Sequence, residues 1–160
     1  MERLFPNFSL FTQNVDNLHQ RAGSVEVFEL HGNILHSHCL KCGINYEEDF
    51  IIDDKVPICE ICGGMIRPSV VWFGEQLPEL ILEKAFDYAH KCDVFFTIGT
   101  SSEVYPAAQL PFIAKENGAY VVEINPNTTS FTKTADLSIQ RPASKTLTEI
   151  VNLYKQVKKL

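Results

Sequence analysis

At 160 residues with 45% hydrophobic side chains, the chain suffices for one packed domain, or one domain with a small insert, and is too apolar for global disorder. A formal net charge of −6 argues against holding a phosphate backbone by bulk electrostatics, so no nucleic-acid partner is expected. No apolar run approaches the ~20 residues of a membrane span, and MERLFPNFSL lacks the basic-then-apolar pattern of a leader; a cytoplasmic location without a membrane partner is expected.

In chain order, residues 8–13 (FSLFTQ) are short, apolar and β-prone, a buried strand running into a polar loop. Residues 33–67 lose periodicity, and cysteine, glycine and charge dominate them, which marks an insert organised by something other than a hydrophobic core. Residues 70–73 (VVWF) are again strand-like. A helix is expected from about 78 to 91, with Pro78 at its first position and Leu80, Ile81, Ala85, Tyr88 and Ala89 as its apolar stripe. Residues 94–98 (VFFTI) read as a buried strand. The helix after it ends near Gly118; Pro106 could open it, but Pro111 would then lack an amide inside it. Residues 120–124 (YVVEI) and 137–140 are two more strands, and a closing helix carries Leu147, Ile150, Val151, Tyr154 and Val157 on one face. Strand–helix alternation from residue 70 onward predicts a parallel sheet with helices packed on it.

Four of the five cysteines form CLKCG and CEICGG, a C-x2-C-x16-C-x2-C pattern. Thiolates two residues apart on a tight turn can face one ion, and two such turns complete a tetrahedron, so Cys39, Cys42, Cys59 and Cys62 are assigned to structural zinc. Gly43 and Gly63 follow the second cysteine of each pair, where a left-handed backbone is wanted. A closed four-sulfur shell leaves no place for activated water, nor for His36 or His38, which read as exposed polar residues of the insert. His31 stands outside the cysteine pattern, before Gly32. Cys92 reads as a small buried residue, and His90 as surface.

The segments TQNVDNLHQRAG (12–23), LHG (30–32), the four cysteines, VVWFGE (70–75), GTS (99–101) and EINPN (123–127) follow one another in that order. In this the chain resembles the sirtuins, NAD-dependent protein-lysine deacylases, especially their bacterial members. The resemblance implies an α/β fold: a Rossmann-like parallel sheet, formed by residues 1–31 and 69–160, with a zinc-binding insert at 32–68. It implies that an acyl-lysine oxygen attacks the ribose carbon of NAD, that nicotinamide leaves, and that the acyl group passes to ADP-ribose. His31 would be the base, since imidazole accepts a proton near neutrality, with Asn14 beside it in the catalytic set. Gln13, Asn14, Val15 and Asp16 would surround nicotinamide and its ribose. Gly99, Thr100 and Ser101 would take the nucleotide at the carboxyl edge of the sheet, with Asn125, Pro126 and Asn127 at the adenosine ribose and Ala143 near the adenine. Val70, Val71 and Phe73 would line the acyl-lysine tunnel. Gly74–Glu75 and residues 103–105, including Glu103 and Val104, would offer backbone edges to a substrate peptide added as a strand. Without the resemblance, QNVD is a polar loop, and VVWF, above all Val71 and Trp72, is plain core strand.

The family's sheet begins with a strand leading into a glycine-rich GAG loop that holds the NAD pyrophosphate. No glycine precedes Gly23 here and no G-x-G occurs. The expectation is therefore an N-terminally incomplete fold, read from an internal methionine of a longer enzyme, that binds NAD poorly and turns over slowly by itself. The alternative is a short zinc-stabilised module that binds acyl-lysine or protein without catalysis.

Overall fold

Residues 1–46 and 55–158 are described by the computed structural model, and the chain divides into two compact units. The first comprises Glu2 and Asn7–Ile81. Its β1 (Leu10–Thr12) and β2 (Val27–Glu29) pair in parallel with Leu10 opposite Val27 and Thr12 opposite Glu29. Between them lies a single turn of helix, α1 (Leu18–Arg21). A second sheet has the order β4-β3-β5, all antiparallel, from β3 (Gly32–Cys39), β4 (Asn45–Tyr46) and β5 (Ile66–Val70). Its register slips between Asn33 and Ser37, which pair with the adjacent Ser69 and Pro68 of β5. Gly32 has φ +76, and a Cβ there would lie 2.0 Å from the Ser69 carbonyl oxygen; only glycine permits this crossing of β3 and β5.

The other unit comprises Met1, Arg3–Pro6 and Leu82–Leu160. Its sheet, β6 (Val94–Ile98), β7 (Tyr120–Ile124) and β8 (Leu137–Ile139), is parallel in that order, Val94 opposite Tyr120 and Val122 opposite Leu137. Its helices are α2 (Glu79–Lys91) from Leu82 onward, α3 (Leu110–Glu116) and α4 (Ala143–Lys158). Val121, Ile124, Phe131 and Ala114 are wholly enclosed, and Phe112 meets Phe131 edge-on at 4.8 Å. With parallel sheets, helices and a four-cysteine cluster, the fold class is the expected α/β one with a cysteine insert. Of the insert expected over 32–68, residues 47–54 lie outside the described residues.

Several expectations need correction. The strand at 70–73 is displaced: β5 ends at Val70 and pairs antiparallel with β3 rather than opening the parallel sheet. Trp72 and Phe73 are not core strand but exposed, at 60% and 100%. The strand VFFTI forms as expected but is not fully buried, since Val94 and Ile98 are exposed; among the described residues β6 pairs only with β7. Along α2, Ala85 and Ala89 are buried, whereas Leu80 and Tyr88 face outward, and Val157 of α4 is exposed as well. Both prolines near α3 are accommodated: Pro106 precedes a 3-10 turn, Ala107–Gln109, and Pro111 falls in the first turn of α3, where no amide donor is needed.

Candidate active site and metal centre

His31 lies at the tight junction of β2 and β3, half-buried. Its Nδ1 is 3.1 Å from the Gln13 carbonyl oxygen. A carbonyl oxygen only accepts, so Nδ1 carries a proton and donates, and in the neutral ring Nε2 is then the nitrogen with the lone pair. The loop after β1 is fixed around this contact. The Thr12 hydroxyl oxygen accepts the Asn14 N–H at 3.1 Å, the Asp16 carboxylate accepts the Leu18 N–H at 3.0 Å, and the Val15 carbonyl accepts the Ile34 N–H at 2.9 Å. Asn17 takes a left-handed φ of 58. Beneath the loop, Glu29 accepts Gln20 Nε2 and the buried Asn33 Nδ2, each at 2.6 Å. Gln20, Glu29 and Asn33 were missed by sequence reasoning; their signal was only that Glu29 and Asn33 flank LHG and that Gln20 lies within the 12–23 segment. Asn14 and Asp16 are exposed, Gln13 and Val15 half-buried.

Past β5, the Val71 N–H donates to the His31 carbonyl at 2.9 Å. Gly74 takes φ +90 and the chain turns, carrying Phe73 outward. Glu75 accepts both Arg67 terminal nitrogens at 2.7 Å, and the Arg67 fork, followed by the Trp72 N–H, holds its carboxyl down to about 2. Val70 is half-buried at the end of β5.

In the other unit, Gly99, Ser101, Glu103, Asn125, Asn127, Thr128, Thr129 and Ser130 line a cleft of about 500 Å³ at the carboxyl ends of β6 and β7. Gly99 takes φ +65 and its N–H donates to the Ile124 carbonyl at 2.9 Å. The Asn125 side chain is a strut: Nδ2 donates to the Thr100 carbonyl at 2.8 Å, and Oδ1 accepts the Asn127 N–H at 3.0 Å. It thus ties together the two loops expected at the nucleotide. Glu123, one residue pair back on β7, is 2% exposed and accepts the hydroxyls of Thr129, Thr132 (2.7 Å) and Ser138 (2.8 Å). It anchors the 128–132 wall, which sequence reasoning missed although Thr129 follows EINPN by two residues, because nothing local pairs these hydroxyls with Glu123. Glu103, expected at a peptide edge, lines this cleft, while Val104 and Pro126 are exposed and Ala143 starts α4.

The four cysteine sulfurs lie within 4.8 Å of one another. Both turns repeat one geometry. Gly43 N–H donates to Cys39 O and Gly63 N–H to Cys59 O, at 2.9 Å each, with φ +72 and +68. Across the turns, Cys39 Sγ is 3.4 Å from Cys62 Sγ and Cys42 Sγ is 3.7 Å from Cys59 Sγ. Sulfurs around a tetrahedral zinc at the usual bond length stand about 3.8 Å apart, so the donor set fits zinc, and a disulfide is excluded at these separations. Gly64 makes room: a Cβ there would lie 2.8 Å from Cys39 Sγ. The Tyr46 hydroxyl donates to Cys59 Sγ at 3.1 Å, which lowers that thiol to about 6 and raises the phenol to about 12. The Gly64 N–H pulls Cys62 down, but burial and the other three sulfurs outweigh it and push that thiol up to about 12. Sulfurs this close cannot all ionise without a cation among them, which is the chemistry of a metal donor set. His36 is exposed as expected; His38 is instead half-buried, its Nδ1 3.0 Å from Ser69 Oγ.

The sequence profile of the Sir2 family matches residues 1–106. An NAD-dependent protein deacylase of Aquifex aeolicus is 51% identical over 157 residues, covering 98% of this chain and 66% of the relative. NAD-dependent protein deacylase 2 of Pyrobaculum aerophilum is 49% identical over 92% of this chain and 59% of its own length. The chain thus spans about three-fifths to two-thirds of the curated relatives it matches. Among solved structures, a Sir2 homolog–NAD complex superposes with a TM-score of 0.93 at 41% identity, covering 98% of this chain and 61% of that one. A Sir2 protein bound to a propionylated peptide gives 0.85 at 38% identity, covering 90% and 62%.

Proposed function

The chain belongs to the Sir2 family, and from that premise we propose that it serves NAD-dependent removal of acyl groups from protein lysines, with the acyl group passing to ADP-ribose and nicotinamide released. NAD, when bound, supplies a ribose carbon that an acyl oxygen can attack. His31 supplies the base. Its Nδ1–H is committed to the Gln13 carbonyl, which orients the ring and leaves Nε2 to take a proton from a sugar hydroxyl. That hydrogen bond is the observation that carries the reading. Gln13, Asn14, Val15 and Asp16 hold the nicotinamide side, with Asn14 as the second catalytic group. Gly99, Thr100, Ser101, Asn125, Pro126 and Asn127 hold the nucleotide side, and Ala143 packs near the adenine. Val70, Phe73, Gly74, Glu75, Glu103 and Val104 receive the acylated lysine and its peptide. In domain terms, residues 1–31 and 69–160 form the Rossmann-like part and 32–68 the zinc insert.

Zinc would be structural here, because four thiolates fill its shell and leave no position for water. We place the protein in the cytoplasm, where cysteine pairs bind metal rather than form disulfides; no helix among the described residues is long and apolar enough to cross a membrane. The test is nicotinamide release from NAD by the protein as its source makes it, with and without an acetylated lysine peptide. Release that requires the peptide is expected. Equal release without it, or none with it, contradicts the reading.

A further inference from the structure

Residues 70–75 carry two large side chains into solvent, Trp72 at 60% and Phe73 at 100% exposure, on a turn with Gly74 at φ +90. Burial of these two rings does little to fix such a loop. Arg67 fixes it instead. Its Nη1 and Nη2 donate to Glu75 Oε1 and Oε2 at 2.7 Å each, Nη2 also donates to the Val70 carbonyl at 3.1 Å, and the guanidinium lies 5.2 Å from the Trp72 ring centroid. Glu75 closes the far side: Oε2 accepts the Trp72 N–H, and the Glu75 N–H donates to the Trp72 carbonyl, both at 2.9 Å. The root of the same loop is bonded to His31 through the Val71 N–H.

We propose that Arg67 is the positioning residue of the acyl-lysine loop. It holds Trp72 and Phe73 as a preformed apolar surface whose root is bonded to the proposed base, so that an acylated lysine need not order the loop itself. The inference rests on the functional reading above. Only arginine serves. The contact uses a planar fork on a carboxylate together with a flat cation against an aromatic ring, and a lysine ammonium supplies neither. Preorganisation of this kind acts on affinity by removing the ordering cost of binding.

Trp72 is the single tryptophan of the chain, so tryptophan emission, excited selectively over tyrosine, reports this loop. The 160-residue chain, Arg67→Lys and Arg67→Gln are titrated with an acetyl-lysine peptide and, separately, with ADP-ribose, and zinc content is measured. The expected result is altered Trp72 emission and peptide affinity weakened roughly tenfold or more in both variants, with ADP-ribose affinity and zinc content unchanged. Loss in Arg67→Lys, which keeps the charge, assigns the effect to the fork and the stack. Peptide affinity unchanged in both variants overturns the inference. Joint loss of peptide, ADP-ribose and zinc in both also overturns it, since Arg67 would then support the whole unit rather than the loop. If the unmodified chain takes up ADP-ribose but no acetylated peptide, the functional reading fails, and the inference with it.

Discussion

Around β7, the enclosed side chains are Val121, Ile124, Phe131 and Ala114, and five residues of β6 pair in register with five of β7. Around the cysteines, the buried cluster is Cys39, Cys59 and Ile66, with Tyr46 and Cys62 against it, while Leu40, Ile58, Ile61 and Met65 face outward. The first region is ordered by apolar burial, at about 25 cal/mol per Å². The second has too little to bury, and its order comes from sulfur positions that an ion can hold. Small units below the size of a self-sufficient core commonly rest on metal in this way.

The contrast breaks first under a chelator. A structural zinc contributes roughly 10–16 kcal/mol in small zinc modules. Stripping it is expected to expose the β3, β4 and β5 amides to hydrogen exchange and leave those of β7 protected. Protection of β3 through β5 without metal would show that the insert has a core of its own. Next in size is Phe131→Ala. Removing this enclosed ring is expected to cost about 3–5 kcal/mol in denaturant unfolding, with one zinc per chain still bound. Loss of zinc in that variant would mean that the two regions are not ordered separately. The smallest effect is acid. Glu75 sits at about 2, below its ordinary carboxylate value, because of Arg67. A depressed carboxyl contributes stability that is present above the unfolded value, near 4.3, and is lost as pH falls through the folded one. Trp72 emission is therefore expected to hold through the mildly acidic range and change as pH approaches 2. A change near 4.3 would show that the lock does not perturb Glu75.

Much of this was legible in the sequence where chemistry and spacing coincide. The two cysteine pairs and their glycines placed the metal ligands because a C-x2-C turn has few ways to fold. Residues 94–98 and 120–124 were legible because β-branched and aromatic residues dominate each short run. The strand IRPSV was not: Pro68 and Arg67 hide it, and it is tolerated because β5 is an edge strand, where a missing amide breaks no central ladder. The neighbouring VVWF drew the expectation instead, although its aromatic residues leave the sheet. Glu29 and Glu123 were illegible for another reason. Glu29 is half-buried and accepts from Gln20 and Asn33, and the enclosed Glu123 accepts from Thr129, Thr132 and Ser138, partners that only the folded loops bring to them. No local pattern announces such partners.

The role of His31 is tested most directly by His31→Ala. Peptide-dependent nicotinamide release and zinc content are measured side by side in the protein as its source makes it and in the variant. The account predicts a fall in release of about 10²–10⁴-fold with zinc unchanged, since the Gln13 contact lies outside the cysteine cluster. Release retained at the unmodified rate would contradict the assignment of the base.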